Sequence, residues 1–421
     1  MALEETDVLE YKEKPTDTFL KTVSAYANYH DGKIIFGIND NGEVVGLDNL
    51  SEERERIENK INDTFHPTPS YSLETNRDNK TITLTVYESP DKPYLVKGKT
   101  YKRNGASTIE VDKVEHGRLV LEGSNMTFDE LEYPKGDLTF DILAKRMIEV
   151  VDINSLGNDV MRTLGLVTPN GSYTNAAAIL ADTNDFGGID IVRFGATQDI
   201  ILSRATFKGI SAVAQFDGVM EQFVQYYQYE KIVGTKREML YSIPLEAFRE
   251  TVANAIVHRA WDVKSNVAVR MYDDHIEVAS PGPLPPGITE EEYLSGSISH
   301  LRNPIIAQVF YRLRLIEMFG TGIARINRAY SEASTKPSFY ISQQSIVVSL
   351  PTINGHSDEA LSDVEEAIIE LLGGGALLTR LEIESVIGIS KDRVIRSLNS
   401  LIDRKLIHKQ GHGRGTKYGA R

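Results

Sequence analysis

The sequence predicts a mixed α+β protein of several domains: an N-terminal module (1–120), a connector (121–240), a central domain (241–355) and a C-terminal winged helix-turn-helix (356–421). Three observations support this prediction. A chain of 421 residues is long enough for two to four domains that each bury a core. Stretches in which apolar residues alternate, as in strands, are interleaved with stretches of helical spacing. A polar linker at 352–358 separates the last domain from the rest.

The composition is that of an ordinary soluble protein, with 41% hydrophobic and 25% charged residues. No apolar run reaches the roughly 18 residues that a membrane helix needs, and the chain starts with acidic rather than basic and apolar residues. We therefore expect no membrane partner, no secretory signal and a cytoplasmic location. The absence of cysteine excludes disulfide bonds, a thiol nucleophile and zinc sites built on cysteine.

The N-terminal module is predicted to alternate strands and helices around one core. Its predicted elements are, in order, a helix at 19–29, a buried strand at 32–38, a tight turn at 39–42, a return strand at 43–47, a helix at 51–65, and strands around 71, at 82–87 and at 100–103. This is the pattern of a compact α/β module.

Four ordered motifs in this module resemble those of the Schlafen/AlbA-type nucleic-acid domain. They are residues 9–12 (Leu-Glu-Tyr-Lys), 24–28 (Ser-Ala-Tyr-Ala-Asn), Gly32 with 34–40, and 101–108 (Tyr-Lys-Arg-Asn-Gly-Ala-Ser-Thr). The resemblance implies DNA, or RNA, as a partner. Among basic residues of these motifs, Lys12 and Arg103 are candidate DNA contacts.

In nuclease members of that family three acidic residues bind a divalent metal. Matched motif to motif, the resemblance gives these roles to Glu5, Glu10 and Asp40. Carboxylates suit Mg²⁺ or Mn²⁺, which favour oxygen ligands and can activate water. The structural alternative stands beside it: Glu5 lies near the terminus, Glu10 and Lys12 are edge-strand surface charges, and Asp40 serves the turn.

The connector contains no chemistry that the sequence reveals, and its expected role is mechanical coupling. Its predicted elements are helices at 140–151 and 214–233 and strands at 188–194 and 200–207.

The central domain contains two short motifs that we expect to face one ligand. On the helix 248–258, Glu250, Asn254 and His258 are spaced i, i+4 and i+8 and so share a polar face. Gly320-Thr-Gly-Ile323 precedes a helical run, where glycines and free N–H groups favour an anion. Between them lie two predicted strands (266–271 and 275–279), a proline-rich loop (280–288) and a helix from 302, and strands at 338–341 and 344–350 close the domain.

These motifs resemble the GHKL ATPase superfamily, in the divergent form found beside Schlafen/AlbA-type domains in bacterial RecG-like regulators. The resemblance implies an α/β sandwich that binds ATP and Mg²⁺. It makes Glu250 the base that polarises water and Asn254 the magnesium ligand. It assigns the phosphate turn to Gly320, Thr321, Gly322 and Ile323, and the adenine side to Ser280 and Gly282, with Ser280 in place of the usual aspartate. The alternative is an ordinary amphipathic helix followed by a simple turn.

The last segment has the plan of a winged helix. Helices are predicted at 364–372, 378–387 and 391–405, with Ser390 as the N-cap of the third and a glycine-rich wing at 406–418. From residue 388 to the end nine Lys and Arg oppose two acids, a local charge of +7 against −21 for the rest of the chain. Such a concentration of positive charge indicates phosphate binding.

The third helix is the candidate recognition helix. Its inward residues are Val394, Ile395, Leu398, Leu401 and Ile402. The candidate DNA contacts are Lys391, Arg393, Arg396 and Asn399 on the helix, and Arg414 and Lys417 in the wing. The alternative is a protein-interaction module.

The favoured hypothesis is a DNA-binding transcriptional regulator that senses a nucleotide and forms a homo-oligomer. The competing hypothesis is a metal-dependent nuclease that acts on tRNA or DNA in defence and is gated by ATP. A third is an ATPase whose turnover drives remodelling. Whether the protein is an enzyme stays open at this stage.

Overall fold

A computed structural model describes residues 4–39, 41–233, 236–285, 288–296, 301–317, 320–342, 344–353, 363–373, 375–403, 406–411 and 416–420. The chain divides into two compact units. Unit 1 comprises residues 1–136, 165–176 and 303–305, and unit 2 comprises residues 137–164, 177–302 and 306–421. Within the described ranges no helix is both long and apolar enough to cross a membrane.

Unit 1 is an α/β module built on a four-stranded sheet in the order β1-β2-β4-β3, in which β1 and β2 are parallel and the other pairs antiparallel. A separate hairpin pairs β5 with β6. The elements are β1 (Leu9–Lys12), α1 (Phe19–Tyr29), β2 (Gly32–Phe36), α2 (Leu50–Thr64), β3 (Tyr71–Asn76), β4 (Thr81–Val86), β5 (Tyr101–Asn104), β6 (Ser107–Glu110), α3 (Lys113–Gly123) and a 3-10 turn (Phe128–Glu130).

The core of unit 1 forms between α1 and the sheet. Phe19, Val23 and Tyr26 of α1 are fully buried in one cluster with Ile34 and Phe36 of β2. The helix therefore has the bounds that its apolar spacing predicts.

The predicted return strand at 43–47 is wrong. Residues 43–47 make a single bridge, between Ile38 and Val44, and otherwise run as irregular backbone. The reason is that both edges of β2 are already taken, by β1 and by β4. The segment turns instead on Gly37 and Gly46, which have φ of 96° and 74°.

Unit 2 is organised around a six-stranded sheet in the order β13-β14-β12-β11-β7-β8. The elements from the end of unit 1 to this sheet's last strand are α4 (Asp141–Val151), α5 (Asn158–Thr163), α6 (Asn175–Leu180), β7 (Ile189–Phe194), β8 (Ile201–Phe207), α7 (Ala212–Tyr227), β9 (Gln228–Val233), β10 (Lys236–Tyr241), α8 (Leu245–Val257), β11 (Val267–Met271), β12 (His275–Pro281), α9 (Glu290–Ser295), α10 (Pro304–Arg312), α11 (Gly322–Ala329), β13 (Ser338–Ile341) and β14 (Ser345–Pro351).

This sheet starts earlier in the chain than residue 241. Strands β7 and β8 come from the segment that the sequence assigns to the connector, and β7 pairs in parallel with β11. The predicted hairpin of β11 and β12 is present. Helix α8 packs against β12 and β14, so its polar face is held beside the sheet's last strands.

The predicted helix at 214–233 is wrong in its second half. Helix α7 ends at Tyr227, where Gln228 is extended, and β9 pairs with β10 in a separate two-stranded sheet. The spacing of apolar residues extended the predicted helix past its true end, because Tyr229, Ile232 and Val233 are residues that also favour strands.

The C-terminal part of unit 2 consists of three helices and a three-stranded antiparallel sheet in the order β15-β17-β16. The elements are α12 (Asp363–Leu372), β15 (Leu378–Thr379), α13 (Arg380–Ile387), α14 (Lys391–Asp403), β16 (Ile407–Gln410) and β17 (Lys417–Ala420). Val394, Leu398 and Leu401 of α14 are buried in its core, as their spacing predicts.

Candidate functional site

The two motifs of the central domain meet at the contact between α8 and α11. Helix α11 begins at Gly322, directly over the polar face of α8. A Cβ atom added to Gly322 would lie 2.6 Å from Asn254 Nδ2 and 2.7 Å from Glu250 Oε1. A side chain at this point would therefore displace the ends of the Asn254 and Glu250 side chains, whereas glycine lets α11 approach them closely.

A narrow cavity of about 30 Å³, with room for one or two water molecules, lies beside this contact. Five of its lining residues are among those that the sequence motifs assign to the nucleotide: Asn254, His258, Ser280, Gly282 and Ile323. Apolar side chains from the sheet and from α11 form much of the remaining wall, and they are Val278, Ile326, Phe339, Ile346 and Val348. A largely apolar wall with a few convergent polar groups is the usual character of a small-ligand site.

Glu250 is the buried carboxylate of this site. Glu250 is 2% exposed, and its Oε2 atom has no hydrogen-bond partner among the described residues. Burial raises the pKa of Glu250, while Arg325 opposes the shift. The Arg325 guanidinium lies 4.0 Å from Oε2 and 3.7 Å from the carboxylate of Glu317. A carboxylate in this environment is suited to accept a proton at neutral pH.

Ser280, near the end of strand β12, and Gly282, directly after that strand, also line the cavity. The Ser280 hydroxyl is buried and donates a hydrogen bond of 3.0 Å to the carbonyl of Ala255 in α8. Gly282 has a φ of 112°, and a Cβ there would lie 2.7 Å from Ala260 Cβ. Both residues thus tie the end of β12 closely to α8 and the segment after it.

Gly320 and Thr321 form the turn into α11. Gly320 has a left-handed φ of 65°, and Thr321, the N-cap residue, makes no side-chain capping bond. The first N–H groups of α11 are therefore not satisfied by that side chain. His258 is the C-cap of α8 rather than part of its last turn, and it still lines the cavity.

Three polar residues at or beside the cavity were not predicted from the sequence as part of the site. Thr251 and Tyr293 line it, and burial raises the pKa of Tyr293. Arg325 pairs with Glu250. The sequence could have indicated Arg325, because this residue lies three positions, or about one helical turn, after Gly322.

In unit 1 the expected metal ligands are held by other partners. Glu10 is buried, with Oε1 2.6 Å from Lys12 Nζ and Oε2 2.7 Å from Arg103 Nη1. The Glu5 carboxylate accepts a hydrogen bond from the backbone N–H of Tyr11. Asp40 lies outside the described residues. In the described part of the chain no three acidic or histidine side chains are grouped to hold a metal.

Arg103 is an interior residue. Its side chain is 1% exposed and also donates hydrogen bonds to the Thr108 hydroxyl and the Thr6 carbonyl. This position suits a structural ion pair rather than a contact with DNA. Lys12 is partly exposed and remains accessible.

Most of the candidate DNA contacts in the C-terminal segment have exposed side chains. Lys391, Arg396, Asn399 and Lys417 are exposed, and Arg393 is half-buried. Arg414 lies outside the described residues. Arg396 forms an ion pair with Asp274, the residue before β12.

The α/β module of unit 1 and the α8–α11 contact beside the cavity are the features to compare with known families. Two family models match the chain. The model described as "Schlafen, AlbA_2" matches residues 5–112, and the model described as "Putative ATP-dependent DNA helicase recG C-terminal" matches residues 264–350. The chain therefore combines the two domain types that its motifs predict.

Several solved structures match this chain. One is a crystal structure of a protein from Corynebacterium diphtheriae. The match spans 99% of the present chain and 95% of the Corynebacterium chain, with 16% sequence identity and a TM-score of 0.47. Another is the solution structure of the N-terminal domain of a putative ATP-dependent DNA helicase RecG-related protein from Nitrosomonas europaea. That match spans 25% of the present chain and 83% of the Nitrosomonas chain, with 25% sequence identity and a TM-score of 0.19. No curated protein matches the chain.

Proposed function

We propose that the protein is a DNA-binding transcriptional regulator whose central domain binds ATP with Mg²⁺. The observation that carries this proposal is the contact of Gly322 with Glu250 and with Asn254, of which Asn254 lines the cavity. It joins a backbone open to phosphate, an amide and a buried carboxylate within one small space. A helix N-terminus, an amide and a buried carboxylate are groups that a phosphorylated ligand with its metal ion would use.

The polar groups at and beside the cavity suit such a ligand, which would require the cavity to widen on binding. The Oε2 atom of Glu250, which has no hydrogen-bond partner among the described residues, is a feature that a bound nucleotide and its attacking water would use. Asn254 would bind Mg²⁺ through its amide oxygen, and the N–H groups at the start of α11 would bind phosphate. The metal ion would neutralise phosphate charge, and Glu250 would orient water and accept its proton if the nucleotide is hydrolysed.

In this proposal the adenine of the nucleotide lies beside Ser280, in the last residues of β12. Its proton is committed to the Ala255 carbonyl, so the oxygen keeps lone pairs that can accept from the adenine amino group. This neutral acceptor replaces the charged one expected of the family. A neutral hydrogen bond is weaker than one to a carboxylate, and the affinity for the base should be correspondingly modest.

The DNA-binding half of the proposal rests on the C-terminal segment. Its three helices and small sheet follow the order of a winged helix, with α14 as the recognition helix. The exposed cations of α14 and β17 lie in a region of strong positive charge within an acidic chain. Unit 1 would add a second nucleic-acid contact, through Lys12 among other exposed residues.

Strand β12 is the proposed connection between the two functions. Its last residues line the cavity, and Asp274 at its other end pairs with Arg396 of α14. A ligand that shifts β12 would change the availability of Arg396 for DNA. Such coupling requires that nucleotide and DNA alter each other's affinity by the same factor.

The test is binding of the full chain to the DNA upstream of its own gene, with and without a non-hydrolysable ATP analogue and Mg²⁺. We expect sequence-specific binding without DNA cleavage, and an affinity that changes when the analogue is added. The reciprocal titration of analogue in the presence of DNA should show the same factor. Sequence-independent binding, or cleavage in the presence of Mn²⁺ that a Glu10→Ala variant lacks, would instead support the nuclease.

A further inference from the structure

The hairpin formed by β9 and β10 lies between α7 and α8. In the described part of the chain its sheet contains these two strands alone. A two-stranded hairpin without further cover is at best marginally stable in water. A partner that covers one face would remove this weakness.

One face of this hairpin carries two exposed apolar side chains. The register pairs Ile232 with Arg237 and Glu230 with Met239, and residues opposite each other on antiparallel strands share a face. Ile232 is 71% exposed and Met239 is 51% exposed. We call these four residues, Glu230, Ile232, Arg237 and Met239, the hairpin face.

The hairpin face is complementary to itself. Glu230 and Arg237 lie on one diagonal, with 3.6 Å between their charged atoms, and the apolar pair lies on the other. A two-fold axis along the apolar diagonal would place Glu230 of one copy opposite Arg237 of a second copy. Ile232 and Met239 would then each meet their own equivalents. The strands would cross at a steep angle, as in orthogonal sheet packing.

We propose that the hairpin face joins two copies of this chain. A strongly acidic or basic partner would always meet one like charge on this face, whereas a second copy meets none. Two six-residue strands offer less area than the roughly 800 Å² per partner of a standard interface, so the dimer depends on concentration. The proposal involves neither nucleotide nor DNA.

The test uses charge reversal and sedimentation velocity of the full chain at 1 to 100 µM or so, without ligands. The Glu230→Arg variant carries two bases on this face, and the Arg237→Glu variant carries two acids. Each alone should stay monomeric because like charges would then face each other. An equimolar mixture should form dimers, because opposite charges are restored only between the two different copies.

The mixing experiment separates dimer contacts from folding of the hairpin, since a folding defect in one chain is not repaired by another chain. Lys231→Glu is the matched control, because this exposed residue lies on the other face of the same strand. It should dimerise as the wild type does. A monomeric wild type over the whole range, single variants that still dimerise, or a mixture that stays monomeric would each overturn the proposal.

Discussion

Gly322 and Asn254 approach so closely that a single methyl group added to the glycine would lie 2.6 Å from the Asn254 amide nitrogen. The same methyl would lie 2.7 Å from Glu250 Oε1. These distances are well inside ordinary van der Waals contact, and they connect two motifs that are far apart in the sequence.

Gly322→Ala should therefore displace the Asn254 and Glu250 side chains, destabilise the protein by about 1 kcal/mol or less because both contacting atoms are side-chain ends, and weaken nucleotide binding. Urea denaturation and titration with an ATP analogue measure the two effects. Gly117→Ala is the control, because a Cβ at Gly117 meets no atom within 4 Å. Equal stability and nucleotide affinity of the Gly322→Ala variant and the wild type would contradict the close contact.

Glu250→Gln should stabilise the unliganded protein at neutral pH. Burial raises the pKa of Glu250, so the folded state holds this proton more tightly than the unfolded chain. Stability is then lost as pH rises above the ordinary glutamate value of 4.5, because the buried carboxylate must ionise. The glutamine variant avoids this loss, and its advantage should shrink as pH falls below that value.

The urea midpoint of this variant, measured at several pH values, checks the prediction. Glu246→Gln, an exposed change one helical turn earlier, should show no such pH-dependent gain. A Glu250→Gln variant that is less stable than the wild type at pH 7 would mean that Arg325 dominates over burial. If the protein hydrolyses ATP, the same variant should keep binding and lose about 10²–10⁴-fold in turnover.

Arg103→Ala should be much more damaging than Lys12→Ala, although both remove a cation from Glu10. Loss of Arg103 leaves a buried carboxylate without its buried partner, which costs about 3–5 kcal/mol. Lys12 is partly exposed, and its loss should cost about 1 kcal/mol or less. Denaturant unfolding distinguishes the two, and equal costs would show that Arg103 is not the main partner of Glu10.

Replacing Arg393 and Arg396 together by alanine should weaken DNA binding and flatten its dependence on salt. Each lost phosphate contact reduces the slope of log affinity against log salt by about 0.9. Arg312→Ala with Arg328→Ala removes two exposed arginines elsewhere and serves as the control. DNA binding that is independent of salt, or equally reduced by both pairs, would argue against α14 as the recognition helix.

The local spacing of apolar residues predicted those helices and strands whose buried residues can be recognised from the segment's own sequence. Helix α1 has its predicted bounds, and nearly all of its residues are buried, against the four-stranded sheet, the hairpin of β5 and β6, and α2. The strand expected at 43–47 failed because the neighbours of β2 are set by β1 and β4, which lie far from it in the chain. The end of α7 failed because the same residues suit a helix and a strand.

The candidate site follows the same rule. Helical spacing placed Glu250 and Asn254 on one face, and the glycine motif marked the turn that meets them. Tyr293 and Thr251 were not found, because nothing in their local sequence indicates that they line a cavity. For Glu10 the sequence left a surface role open, and the ion pair with Arg103 joins strands β1 and β5, which no local pattern relates.

The most direct test of a nucleotide site at Asn254 and Gly322 is calorimetric titration of the full chain with a non-hydrolysable ATP analogue and Mg²⁺. We expect one analogue per chain for the wild type and an affinity at least about tenfold weaker for Asn254→Ala, equivalent to roughly 1.4 kcal/mol. Asn327→Ala, an exposed change on α11, should bind as the wild type does. No binding by the wild type, or unchanged affinity in Asn254→Ala, would contradict the site.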